Sequence, residues 1–549
     1  MHPTLPRWWQ TAVVYEIYPR SFADTNGDGA GDLSGITSKL DYLAWLGVDA
    51  IWIAPFYPSP MVDLGYDIAD YTDVDSLFGT LADFDELLAG AHERGIRVVI
   101  DYVPNHTSDR HTWFVESRSS RENRKRDWYI WRDPKPDGSP PNRWLSMFGA
   151  PPWTRDEVTG QYYLHSFLRE QPDLNWRNPA VQGAMFDVAR FWLDRGVDGF
   201  RIDVAPMVMK DPELRDNPRA PAPTADELRR LDPWITHFHL YNHAHPDMHE
   251  LYRSFRTLLD AYPGDRVSIG ELHHPDYDTW AAYYGERQDE IHVPFNFHLA
   301  YADWRADAVR AAIEGVQRAL PPGAWASWVL GNHDYPRFAS PHRAGRAQAK
   351  VGMLLLLSLR GTPTIYYGEE IGMVDVPIGP ADARDPLGRD PQRTPMQWDA
   401  SPNAGFTSAD ARPWLPLAPD ADRVNVAAHA EDPASLLTLT RRLLRLRREH
   451  PVLHVGDFEP FGPSPDGTYA FRRVSPDGRL TVVLNLTDAP RRVSGAGPGR
   501  VLIGTDRDRE SAMVGDVVEL RPNEALVVEA IRRGTRRTST RATGARSRA

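Results

Sequence analysis

The chain contains no cysteine in 549 residues. Disulfides, thiolate metal sites and cysteine nucleophiles are therefore excluded. Long apolar runs are also missing: the longest, VGMLLLLSL at 351–359, is too short to span a bilayer. The opening segment MHPTLPRWWQTAVVYEIYPR lacks a basic stretch followed by an apolar core and a small-residue cleavage site. No secretory signal is read there, and a cytoplasmic location is expected. Positive charge is in deficit. A net charge of −12 argues against nucleic acid or an anionic membrane as partner, and is compatible with a neutral ligand.

Core-forming and pocket-forming residues are plentiful. Hydrophobic residues make up 41% of the chain, with 18 Trp and 21 Tyr, enough for a large core and an aromatic-lined pocket. The length is too great for one small core and predicts a large domain plus at least one more.

Apolar, β-branched-rich runs recur with helical segments between them. VVYEIY (13–18), AIWIAP (50–55), RVVIDYV (97–103), GFRIDV (199–204), VSIGEL (267–272), EIHVPFNF (290–297), SWVLGNHD (327–334) and TPTIYYGEE (362–370) read as eight strands. Helices are expected around 36–46, 80–94, 179–195 and 441–450. Strands alternating with helices predict an α/β fold, a (β/α)8 barrel over 1–103 and 176–450. Residues 104–175, rich in Arg, Pro, Trp and Asp, read as an inserted small domain over the barrel mouth. From 451 to 531 short alternating strands predict a C-terminal antiparallel β-sandwich. The tail 532–549 carries seven arginines and almost no apolar residues, and reads as disordered.

Three of the strand runs end in an acid: GFRID at Asp203, SIGEL at Glu271 and GNHD at Asp334. They lie 68 and 63 residues apart, so each belongs to a different strand. A barrel brings strand ends together at one face. Three carboxylates converging there beside Arg201 and His333 fit cleavage of a glycosidic bond. Any one acid alone would pass for an ordinary strand-end salt bridge.

DYVPNH (101–106), GFRID (199–203), GEL (270–272) and NHD (332–334) resemble the four ordered motifs of the α-amylase family of glycoside hydrolases. QPDLN (171–175), GRDPQRTPMQWD (388–399) and AGFT (404–407) resemble its oligo-1,6-glucosidase and α-glucosidase branch. The likeness runs over roughly residues 8–530. It implies that Asp203 is a nucleophile, Glu271 a general acid and base, and Asp334 a third carboxylate that binds sugar hydroxyls. In retaining enzymes the first two lie about 5–5.5 Å apart. Mutual repulsion is expected to keep Glu271 protonated while Arg201, two residues before Asp203 on the same strand face, keeps Asp203 ionised. His106 and His333 resemble hydroxyl-binding histidines; neither has metal-ligand spacing to another His or Cys. Tyr66 resembles the aromatic platform under the glucose, and Asp63 and Arg393 a pair that clamps the non-reducing end. Phe148 and Phe167 are expected on the aglycone side.

The loop DTNGDGAGD (24–32) places Asp24, Asn26, Asp28 and Asp32 at alternating positions, with glycines that allow tight turns. It begins like an EF-hand, but its twelfth position is Gly35 and a strand precedes it. It resembles the Ca2+ (or Mg2+) loop of the same branch, with the Ala30 carbonyl as a further ligand; an Asx-rich turn without metal is the alternative. Residues 236–249 hold five histidines at irregular spacings and read as an entrance loop rather than a zinc site.

Val204, directly after the nucleophile, suggests α-1,6 linkages by the same resemblance. The leading expectation is a retaining, exo-acting α-glucosidase on short α-glucosides. The alternative is a transglucosidase, trehalose synthase or sucrose isomerase using the same glucosyl-enzyme. NHDY (332–335) and GELHH (270–274) depart from the usual pattern on the acceptor side.

Overall fold

The computed structural model describes residues 6–219, 239–462 and 465–531. The basic tail, and residues 236–238 of the histidine-rich segment, lie outside these. Eight parallel strands form one sheet: β1 (Val14–Ile17), β2 (Ala50–Ile53), β3 (Arg97–Tyr102), β4 (Gly199–Ile202), β5 (Val267–Leu272), β6 (Val293–Asn296), β7 (Ser327–Trp328) and β8 (Thr362–Tyr366). Their order is β7-β8-β1-β2-β3-β4-β5-β6. The seam between β6 and β7 is closed by side chains instead of a ladder. The Asn296 N–H donates to Ser327 Oγ at 3.0 Å, and that hydroxyl donates to the Pro294 carbonyl at 3.2 Å. The sheet thus closes into the expected (β/α)8 barrel. β7 is much shorter than its sequence run, because 329–334 leaves the ladder to carry His333 and Asp334 over the mouth.

Nearly every strand residue is buried on both faces, the pattern of a parallel sheet sheathed by helices. Val14, Ala50, Trp52, Val99, Val267, Ile269, Val293, Phe295 and Val329 pack together inside the barrel. The helices begin and end where local chemistry dictates. Leu81–Glu93 starts on a capping box in which Thr80 and Asp83 satisfy each other's backbone N–H. Pro179–Arg195 starts with an Asn178 cap and a proline in its first turn, and stops at Gly196 with φ 106°. The last barrel helix, Leu436–Glu449, starts earlier than its arginine-rich stretch suggests, because Ser435 caps it through the Thr438 N–H. Among the described residues no helix is long and apolar enough to cross a membrane.

Between β3 and β4 the chain forms a helix, Thr112–Ser119, and a three-stranded sheet of Trp131–Arg132, Trp153–Arg155 and Tyr162–Leu164. Beyond the barrel, a six-stranded and a two-stranded antiparallel sheet enclose Val483, Val493, Val501, Val518 and Val528. The alternate residues Val482, Leu484 and Val527 join the main core. The period of two thus seals the second domain onto the first.

Gly199 sits where β4 meets β5. A β-carbon there would lie 2.4 Å from the Val267 carbonyl oxygen, on backbone that cannot swing aside. Gly199→Ala is expected to wedge apart the two strands that carry Asp203 and Glu271. Overpacking of this kind costs about 1–3 kcal/mol. A lower melting temperature, with activity lost in proportion, is the expected result in a thermal melt and rate assay.

Candidate active site

The site is built on the carboxyl ends of the barrel strands. In the ladder Asp101 of β3 stands directly opposite Arg201 of β4. The Arg201 guanidinium, 2% exposed, holds three carboxylates. Nη1 lies 2.7 Å from Asp101 Oδ1 and 2.9 Å from Asp203 Oδ1, and Nη2 lies 2.8 Å from Glu271 Oε2. Trp52 lies under the cation, 4.9 Å from its ring centroid. After β4 the chain bends sharply at Val204, which sits at φ 36°, ψ 47°. That left-handed conformation is strained for a β-branched residue. It aims the Val204 N–H at Glu271 Oε2, 2.8 Å away.

One cation facing three buried carboxylates cannot keep all of them equally charged. Burial, and then the proximity of Glu271 and Asp101, push Asp203 well above the usual carboxylate range despite Arg201. Burial also acts upward on Glu271, but Arg201 and then His273 outweigh it and hold the carboxyl at about 2. His273 Nε2 lies 2.8 Å from Glu271 Oε1. Arg201 thus serves both acids, and His273 gives Glu271 a second partner that the sequence spacing did not reveal.

Asp334 anchors a second cluster. Its Oδ1 lies 2.6 Å from Arg393 Nη2 and 2.9 Å from Arg389 Nη1, and its Oδ2 lies 3.2 Å from His333 Nε2. Against burial, His333 and the arginines hold Asp334 well below the ordinary range. His333 Nδ1 meets the buried Glu16 at 2.6 Å. Burial alone would lower His333, but Asp334 and Glu16 together push it up to about 9. The expected Asp63–Arg393 clamp is not formed. Asp63 pairs with Arg389 at 2.6 Å, and Arg393 is spent on Asp334 and on the His333 carbonyl. Both arginines lie in GRDPQR, four residues apart, and spacing gave no means of choosing between them. Arg389 also grips Asp385 at 2.8 Å, so its fork is fixed from three sides.

Tyr66 joins the two clusters. Its hydroxyl lies 2.9 Å from His333 Nε2 and donates to Asp101 Oδ2 at 3.2 Å, and its ring stacks on His333 at 5.5 Å. His106 Nε2 lies 3.1 Å from the Gln171 side-chain nitrogen, and Gln171 also donates to Asp63 Oδ2 at 3.0 Å. Behind them Lys210 is buried against Asp173 at 3.0 Å and Asn105 at 2.7 Å. Phe167 packs on His106 at 5.0 Å and on Phe148 at 5.9 Å, forming an aromatic edge beside the clamp.

The loop 24–32 is folded on its own amides. Asp24 accepts the N–H groups of Asn26, Gly27 and Gly29; Asn26 accepts that of Asp28; and Asp28 accepts that of Ala30. Asp32 caps the helix Leu33–Ser38. These are Asx turns. Among the described residues no three or more Asp, Glu or His side chains are grouped for a metal ion. The described histidines of 239–249 are likewise dispersed: His249 pairs with Glu290 at 2.7 Å, His245 lies 3.6 Å from Asp247, and His243 stacks on His274 at 5.7 Å.

Two buried acids on one guanidinium, with a third acid in an arginine cradle, match the motif likeness read from the sequence. Residues 16–456 match the alpha amylase catalytic domain. The chain belongs to the α-amylase family of glycoside hydrolases. It is 45% identical over 501 residues to a probable alpha-glucosidase of Rhizobium meliloti, covering 88% of this chain and 90% of that one. It is 40% identical to the oligo-1,6-glucosidase of Heyndrickxia coagulans, covering 88% and 93%. Among solved structures the α-glucosyl transfer enzyme XgtA superposes with a TM-score of 0.88 at 40% identity, covering 96% of this chain and all of that one.

Arg389→Ala would leave Asp63 and Asp385 without their shared cation. In steady-state kinetics on a disaccharide, kcat/KM is expected to fall on the order of a hundredfold, ~2.7 kcal/mol of lost transition-state binding. Unchanged kinetics would remove Arg389 from the site.

Proposed function

We propose that the enzyme is an exo-acting α-glucosidase that releases glucose from short α-glucosides by retaining double displacement. One observation carries this reading: Asp203 and Glu271 occupy the two ends of a single guanidinium. Sharing one guanidinium is compatible with the about 5–5.5 Å spacing of retaining enzymes. Asp203 attacks the anomeric carbon, Glu271 protonates the departing oxygen, and the glucosyl ester is then opened by water that Glu271 deprotonates. Asp334, held ionised by Arg393, Arg389 and His333, binds the sugar hydroxyls and favours the positive charge that develops on the ring. Tyr66 and His106 complete the glucose subsite. The Asp63–Arg389 pair closes the pocket beyond it, so the enzyme works from chain ends. The substrates are small α-glucosides; Val204 supports a preference for α-1,6 linkages.

A second reading, transfer of the glucosyl group to a sugar or another alcohol, is favoured by the likeness to XgtA along nearly the whole chain. The two readings differ in products. A chromatographic time course on maltose, isomaltose, sucrose and trehalose is expected to give free glucose at low and high concentration, fastest from isomaltose. New di- or trisaccharides appearing early, with little glucose, would establish transfer in place of hydrolysis.

A divalent cation, Ca2+ or Mg2+, is proposed for the loop 24–32. In kind the donors suit a hard ion: carboxylates of Asp24, Asp28 and Asp32, the Asn26 amide oxygen and the Ala30 carbonyl. Its contribution would be structural, since the loop also anchors Thr407 through Asp24. Treatment with EDTA is expected to lower the melting temperature more than room-temperature activity; a superimposable melting curve would contradict a bound ion.

A further inference from the structure

A general acid must hold a proton when the glycosidic bond breaks. Arg201 occupies one oxygen of Glu271, and His273 faces the other, where it is placed to share that proton. It follows β5 directly, and its Nε2 lies 2.8 Å from Glu271 Oε1, on the opposite oxygen from Arg201. Its ring is sandwiched on Phe297, 4.0 Å between centroids and 15° from parallel, just past the end of β6. Its Nδ1 bonds the hydroxyl of Tyr301, in the short helix His298–Tyr301. Tyr301 packs in turn on Tyr335 at 4.9 Å, and Tyr335 carries the Arg343 guanidinium 4.9 Å over its ring. Three barrel loops thus fix one imidazole against one carboxyl.

The partner at Nδ1 matters chemically. A hydroxyl donates or accepts with equal ease, so it matches either tautomer of the imidazole. With a proton on Nε2 and Glu271 ionised, Tyr301 donates to Nδ1, or accepts from it when the ring is fully protonated. With the proton on Glu271, its O–H donates to Nε2 and Nδ1–H donates to Tyr301. Burial pushes the Tyr301 hydroxyl well above its ordinary range, so it keeps its proton throughout.

We propose that His273 is a positioning residue that shares one proton with Glu271, and that Tyr301 lets the imidazole change roles as the proton moves. The proposal rests on the reading of Glu271 as the acid and base. The proton balance is closed. Protonated His273 passes H+ from Nε2 to Oε1; Glu271 gives it to the departing oxygen as the C–O bond breaks, and both are left deprotonated in sum by one. In the second step the attacking water loses a proton to Glu271, and it returns to His273. The other charged or titratable groups facing the pair are Arg201, Asp203 and Asp334 around Glu271, Tyr301 with Tyr335 behind it, and His243 on the far side of His273.

The consequence is an extended alkaline limb. Two basic sites that face each other and share one proton keep it to higher pH than the carboxyl alone. The test is the pH dependence of kcat/KM for the intact enzyme and for His273→Gln, Tyr301→Phe and Glu271→Gln. Each is assayed on isomaltose and on 4-nitrophenyl α-glucoside, whose leaving group needs little protonation. His273→Gln is expected to bring the alkaline limb down by about one pH unit or more and to cut kcat on isomaltose about tenfold or more, with KM nearly unchanged and a much smaller loss on the aryl glucoside. Tyr301→Phe is expected to move both readings in the same direction by less. Equal losses on both substrates with the limb in place, in both variants, would overturn the proposal and leave His273 a packing residue. Glu271→Gln separates the two readings. If it keeps isomaltose turnover, the acid–base reading fails and this proposal with it. If it abolishes turnover while His273→Gln leaves the limb unmoved, only the shared proton is refuted.

Discussion

Arg201 is the interaction on which the site depends. A guanidinium buried to this degree is expensive to desolvate and is tolerable only when its donors are satisfied. Here the satisfaction comes from Asp101 in ladder register on the adjacent strand, and from two further acids delivered by β4 and β5. The same contacts that stabilise the cation bring Asp203 and Glu271 together on one guanidinium. Removing it would leave three acids buried at the barrel mouth with no common counter-charge. Position and electrostatics are therefore set by one residue, and both follow from strand register.

The third acid is handled differently. Asp334 arrives on an irregular segment after a very short β7, so no ladder fixes it. Two arginines from the segment after β8 and the buried His333–Glu16 pair hold it instead. Tyr66 couples this cluster to the first by bonding both His333 and Asp101. Asp334 thus has three cationic partners of its own, whereas Asp203 shares one guanidinium with two other acids.

Much of this was legible in the sequence, for reasons of period. All eight strands stand within runs of buried β-branched residues, and their order follows from alternation with helices. The three acids were legible because each terminates such a run. What escaped was pairing at side-chain resolution. Arg389 and Arg393 sit in one turn-rich segment, where no period says which side chain reaches Asp63. The second partner of Glu271 is His273, whose proximity comes from the turn after β5 and the stacking on Phe297; GELHH showed only that something unusual follows the acid. Loop 24–32 shows the same limit. Its spacing of oxygens serves a turn that bonds its own amides as well as it serves a cation.

The most direct measurement of the central claim is the identity of the residue that becomes glucosylated. The enzyme is incubated with 5-fluoro-α-glucosyl fluoride, digested with pepsin, and the labelled peptide sequenced by mass spectrometry. The account predicts a single fluoroglucosyl ester on Asp203, absent from the Asp203→Asn variant. A label on Asp101, Glu271 or Asp334, or no covalent adduct together with release of the inverted sugar, would contradict the assignment of the two carboxylates that share Arg201.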